Sequence, residues 1–102
     1  VPLTAGTEGS EFAEALAVRV LPALNAFAPE LIIISAGFDA HWRDPLAGVN
    51  LKDEDFAFAT EAIMEIADRH CGGRIVSLLE GGYDLTGLAG SAAVHVATLM
   101  NS

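Results

Sequence analysis

Leu31-Ile32-Ile33-Ile34-Ser35 is the stretch that decides the fold. Four apolar residues in a row, three of them β-branched, fit a pleated backbone and are too short for a helix. Such a continuous run predicts a strand buried on both faces, as in a parallel sheet covered by helices. Ala28-Pro29-Glu30 breaks the chain before it. Arg74 to Leu79 reads as a second strand of the same kind, followed by the tight loop Glu80-Gly81-Gly82-Tyr83.

Helical periodicity fills the remainder. Phe12, Leu16, Val20, Ala23, Leu24 and Phe27 recur at helical spacing, with Ser10 as the expected N-cap. Pro22 lies inside that pattern and is expected to kink the helix or end it early. A second helix is expected from Asp53, as its cap, to about His70, with Phe56, Ala59, Ile63, Ile66 and Ala67 inward and Cys71-Gly72-Gly73 ending it. A third runs from about Asp84 to Met100. It is apolar nearly all round and is expected to be buried, here or against a partner, with Ala89, Gly90, Ser91, Ala92 and Ala93 allowing another backbone to approach. The order is α-β-α-β-α, a slice of a parallel α/β sheet. In such sheets ligands gather beyond the carboxyl ends of the strands. The two unusual loops, residues 36–52 and 80–84, sit there.

Composition narrows the function classes. The 102 residues carry 5 Lys+Arg against 14 Asp+Glu, a formal charge of −9. That balance excludes a nucleic-acid surface, which needs clustered cations. It also leaves no basic amphipathic segment for an anionic membrane. One cysteine, Cys71, excludes an intrachain disulfide, and no secretory signal is visible. We therefore expect a reducing, cytoplasmic compartment. Yet 52% of the residues are hydrophobic and only 19% charged, more apolar than a chain this short can bury alone. The excess predicts either a piece of a longer chain or self-association through an exposed apolar helix and strand edges.

The first loop holds three possible metal ligands, Asp39, His41 and Asp44. Asp39 and His41 could approach one ion if both point the same way; alternatively the two aspartates cap turns and His41 is exposed. In the second loop Gly81 and Gly82 allow close backbone approach, and Tyr83, the only tyrosine, could donate a hydrogen bond to an oxyanion or simply pack. A phosphate cradle on Gly82 and Gly87 fails, because Leu88 and Ala89 stand where a P-loop needs Lys and Ser/Thr. His95, on an apolar helix, reads as a satisfied core or interface residue, and Cys71 as buried packing.

Read jointly, ISAGFDAHWRDPLAGVNL (residues 34–51) and SLLEGGYDL (residues 77–85) resemble the C-terminal part of the histone deacetylase superfamily. The nearest similarity is to its bacterial histone deacetylase-like and acetylpolyamine amidohydrolase branch. The resemblance covers nearly the whole chain. It implies the arginase/deacetylase α/β fold and zinc-dependent hydrolysis of an acetylated amine or acetyl-lysine. It makes Asp44 a zinc ligand, Asp39 a structural turn carboxylate and His41 no ligand, against the spacing argument. Tyr83 matches the donor to the substrate carbonyl, Leu51 an apolar wall of the acyl-lysine tunnel, and Gly81 and Gly82 the backbone beside its floor. The family's other two zinc ligands and its histidine base have no counterpart in these residues. The resemblance thus implies an incomplete catalytic domain over residues 1–102, inactive by itself. The competing expectation is a non-catalytic, self-associating α/β module. A ureohydrolase on the same fold, using two metals and carboxylate-rich motifs, is a third expectation.

Overall fold

The structure, a computed structural model, describes residues 1–46 and 48–101. Ala47, inside the first loop motif, and Ser102 lie outside the described residues. The order is helix α1 (Gly9–Ala15), a π-helical turn (Leu16–Val20), α2 (Leu21–Phe27), strand β1 (Ile32–Ala36), α3 (Asp53–Cys71), β2 (Ile75–Leu79) and α4 (Leu85–Met100).

Pro22 does not break the first helix. The π turn before it widens the backbone where the proline ring would meet the carbonyl four residues back. Pro22 then stands in the first turn of α2, where no backbone donor is needed. The expected cap at Ser10 is displaced: Glu8 is the N-cap and Gly9 already helical. Helix α2 stops at Ala28, held in the left-handed region at φ 54° ahead of the buried Pro29.

Helix α3 begins one residue earlier than a cap at Asp53 requires. Lys52 is the N-cap, and its N–H donates to the Asp55 carboxylate at 2.8 Å. Asp53, Glu54 and Asp55 crowd the first turn and Arg69 and His70 the last, both signs favourable to the helix dipole. Gly72 closes the helix at φ 62°.

Strands β1 and β2 pair in parallel, from Ile32 opposite Ile75 to Ala36 opposite Leu79. Alternate residues point to opposite faces. The face bearing Ile32, Ile34 and Ile75 meets the helices: Ile32, Ile66, Ala67 and Cys71 form the buried centre, with Leu21, Leu24 and Ile63 packed on it. The other face carries Ile33, Val76 and Leu78, all exposed. The expectation of strands buried on both faces is therefore corrected, because among the described residues helices cover one face only. Within this chain helix α4 is covered along one stripe only. It buries Gly87, Ser91 and His95 while Leu85 and Met100 are about four-fifths exposed, at 80% and 78%.

Inside this core His95 links three elements. Its Nδ1 lies 2.8 Å from the Thr60 hydroxyl and its Nε2 2.8 Å from the Ser77 hydroxyl. The Thr60 hydroxyl donates to the Phe56 carbonyl at 2.6 Å, so it must accept from His95 Nδ1–H. Nε2 then accepts from Ser77, and the chain runs in one direction from β2 through α4 to α3. Burial holds the imidazole below the ordinary histidine range. A histidine depressed in the folded state binds fewer protons than in the unfolded chain, so stability falls as pH drops through that window. We expect the unfolding midpoint to decrease from about pH 7 to about pH 5, around the ordinary value of about 6.5. His95→Gln should flatten that slope. An equal slope in the variant would place the sensitivity elsewhere.

Candidate active site

Beyond the carboxyl ends of the two strands, the loops are knitted together by backbone bonds. Glu80 N–H donates to Ala36 carbonyl at 3.0 Å, and Phe38 N–H donates to Gly81 carbonyl at 2.8 Å. The first loop then folds back on itself. Trp42 N–H donates to Leu51 carbonyl at 2.7 Å, and Leu51 N–H to Ala40 carbonyl at 3.0 Å. Asn50 N–H reaches Thr7 carbonyl at 2.8 Å, so the segment before α1 braces the loop from outside.

Asp44 is the hub. It is 7% exposed. Its Oδ2 accepts the backbone N–H of Tyr83 at 2.7 Å and that of Asp84 at 3.2 Å, and its Oδ1 accepts Leu46 N–H at 3.1 Å. Burial works to raise its pKa, but the N–H groups of Tyr83, Leu46 and Asp84 and the nearby His41 outweigh it and hold the carboxyl below its ordinary value. Asp44 thus stays ionised throughout the neutral range. Asp84 accepts Gly87 N–H at 2.8 Å and caps α4, at the position where the sequence reading began that helix.

Tyr83 is bound to Asp44 through its main chain alone, and its side chain is 59% exposed at the loop. The two residues singled out in separate loops are thus joined by one hydrogen bond. Gly82 carries φ 137°, and a Cβ there would lie 2.9 Å from Leu88. A Cβ on Gly81 would lie 3.0 Å from the Asp39 carboxylate. Asp39 therefore backs the Gly81 main chain. Leu51 is 2% exposed, among the most buried side chains, so the expectation that it walls a substrate tunnel is corrected: the side chain is enclosed by its own chain.

His41 is not exposed, as the turn reading supposed; it is 4% exposed. Its Nδ1 accepts Arg43 N–H at 3.2 Å, so its proton sits on Nε2 and is donated to Asp53 Oδ1 at 2.9 Å. Its single lone pair is spent on the backbone. The pairing of Asp39 with His41 around an ion has no support here. Trp42 is half-exposed with the Arg43 guanidinium 4.5 Å above its ring.

Among the described residues, no three His, Cys, Asp or Glu side chains converge as a metal cage. A catalytic zinc takes three protein ligands. Asp44 fits as one of them: an ionised carboxylate has about four acceptor sites, and three N–H groups occupy three of these. His95 is the satisfied buried histidine that the sequence reading expected, whereas its partners Thr60 and Ser77, and the buried grouping of His41 with Asp53 and Ser91, escaped that reading. The signal available for the His41 grouping was small residues on α4, Gly87 and, one helical turn on, Gly90 and Ser91.

The comparisons agree with this architecture. A family model, the histone deacetylase domain, matches residues 1–99. The chain is 43% identical over 83 residues to the histone deacetylase-like amidohydrolase of Pseudomonas aeruginosa, covering 81% of this chain and 22% of that protein. It is 40% identical over 99 residues to type-2 histone deacetylase 1 of Dictyostelium discoideum, covering 97% of this chain and 7% of that protein. The structure of the histone deacetylase Clr3 superposes with a TM-score of 0.88 at 32% identity, over 96% of this chain and 16% of that one. The α-β-α-β-α order read from the sequence is thus a slice of the deacetylase fold. The chain spans less than a quarter of these relatives. With residues 1–99 of its 102 matched by that model, the chain belongs to the histone deacetylase family.

Proposed function

We propose that residues 1–102 are the C-terminal part of the catalytic domain of a zinc-dependent deacetylase. Within the family we assign it to the histone deacetylase-like and acetylpolyamine amidohydrolase branch. The observation that carries this reading is the 2.7 Å bond from Tyr83 N–H to Asp44. It fixes a metal-ligand carboxylate and a phenol donor on one frame. Bound zinc supplies Lewis acidity to the amide carbonyl and to its attacking water. Asp44 contributes one ionised ligand to it. Tyr83 presents its hydroxyl to the oxygen on which negative charge develops. Gly81 and Gly82 let the main chain run close to the acyl group. The substrate is an acetylated lysine or polyamine, whose cationic remainder suits a chain of charge −9. With one ligand and no base, this stretch does not turn over substrate by itself. Its single buried thiol, Cys71, fits a reducing compartment such as the cytoplasm.

The full-length protein is expected to release acetate from an acetyl-lysine peptide or an acetylated polyamine. The activity should disappear with a chelator and return with zinc. Activity indifferent to chelation would remove the metal from the reading. The second reading, a self-associating module, draws on the open sheet face at Ile33, Val76 and Leu78. It requires a concentration-dependent assembly with no zinc dependence.

A further inference from the structure

We propose that His41, Asp53 and Ser91 act together as positioning residues that hold the Asp44 carboxylate in place beneath the Tyr83 loop. The proposal rests on the reading of Asp44 as a metal ligand.

A histidine in a loop ordinarily keeps its ring in water, and burying it is costly unless both nitrogens are satisfied. Here the ring stacks beside Trp42, centroids 5.8 Å apart, and Phe56, 6.5 Å apart at 11° between planes. Both nitrogens are satisfied, by Arg43 N–H and by Asp53. The same Asp53 oxygen accepts the Ser91 hydroxyl at 3.2 Å. Helix α4 is shaped around the group. A Cβ on Gly87 would lie 2.8 Å from His41 Nδ1, and one on Gly90 would lie 2.7 Å from Asp53 Oδ2. The loop, the start of α3 and the middle of α4 thus meet at one carboxylate. The small residues of α4 admit these side chains rather than another backbone.

The group bears on Asp44 through the main chain. His41 N–H donates to Phe38 carbonyl at 3.2 Å, and Asp44 N–H donates to His41 carbonyl at 2.9 Å. These two successive turns share His41 as their hinge point. Phe38 is in turn bonded to Gly81, in the loop that carries Tyr83. Fixing the imidazole therefore fixes both loops at the point where they meet Asp44.

Two substitutions separate the bonds. In His41→Gln the carboxamide nitrogen can reach Asp53 in place of Nε2–H. In His41→Asn the carboxamide oxygen can accept Arg43 N–H in place of Nδ1, but the tether to Asp53 is gone. In the full-length protein, zinc affinity measured by competition with a chelator should fall about 10–100-fold in His41→Asn, the range for partners that orient a ligand. It should be largely restored in His41→Gln. Exchange of the Tyr83 amide should quicken in His41→Asn alone. Ile66→Val, in the core cluster away from the loops, serves as the stability control. Unchanged zinc affinity in His41→Asn overturns the proposal. So does an equal loss in Ile66→Val at the same fall in unfolding midpoint. If Asp44→Asn itself retains zinc, the ligand reading fails instead, and the Tyr83 exchange rate then decides the positioning role alone.

Discussion

Tyr83→Phe in the full-length protein is expected to lower kcat by about 10²–10³-fold, the cost of deleting one oxyanion donor. The variant removes a single hydroxyl. The bond that anchors this residue comes from its main-chain N–H to Asp44, which phenylalanine keeps. The loop should therefore hold its place, and folding should be unaffected, because Tyr83 is 59% exposed. A donor that acts on charge appearing only in the transition state should change kcat and kcat/KM together and leave substrate binding nearly unaltered. Steady-state kinetics on an acetyl-lysine peptide and on an acetylated polyamine check this directly. Wild-type turnover in Tyr83→Phe would take the residue out of the chemistry. A rise in KM with kcat unchanged would recast it as a wall of the substrate site.

The parts legible in the sequence were those set by neighbours along the chain. The run Leu31–Ser35 declared a strand because three β-branched residues in a row leave few other options. Asp84 declared a helix start, and its carboxylate does accept Gly87 N–H. Asp44 and Tyr83 were singled out by motif, and 39 positions apart they meet by one bond. What stayed hidden was partner choice across long separations. His41 finds Asp53 twelve positions away, and His95 finds Thr60 at 35 and Ser77 at 18. No local rule chooses among distant hydroxyls and carboxylates; packing does. At Pro22 the local rule asked for a kink or an early end, and the regular α-helix does give way there, to the π turn at Leu16–Val20. The apolar strands showed that their faces need cover without saying what supplies it, so Ile33 and Val76 stand open here.

Asp44→Asn should lower zinc affinity of the full-length protein by more than about 100-fold, beyond the range that outer partners of a ligand reach. Two losses coincide. The amide is neutral, so a formal charge facing the metal disappears. One oxygen also becomes an NH₂ group, and the carboxylate it replaces accepts N–H groups on both sides. If the remaining oxygen faces Tyr83 and Asp84, the new NH₂ points at Leu46 N–H. If it turns to Leu46, the NH₂ points at both of the others. Neither orientation satisfies the loop, because two donors then face each other. The loop bearing Tyr83 should loosen even without metal, seen as faster exchange of the Tyr83 and Asp84 amides. Acid should imitate the substitution. A carboxyl held below its ordinary value stabilises the loop above that value, and the contribution is lost as pH falls through the depressed one. Asp44→Glu is the informative companion: it keeps the charge but adds a methylene, so a partial return of zinc with a still-mobile Tyr83 amide would separate ligand charge from loop geometry. Full zinc occupancy in Asp44→Asn would mean that the metal is held elsewhere. Asp44 would then serve only to join the two loops.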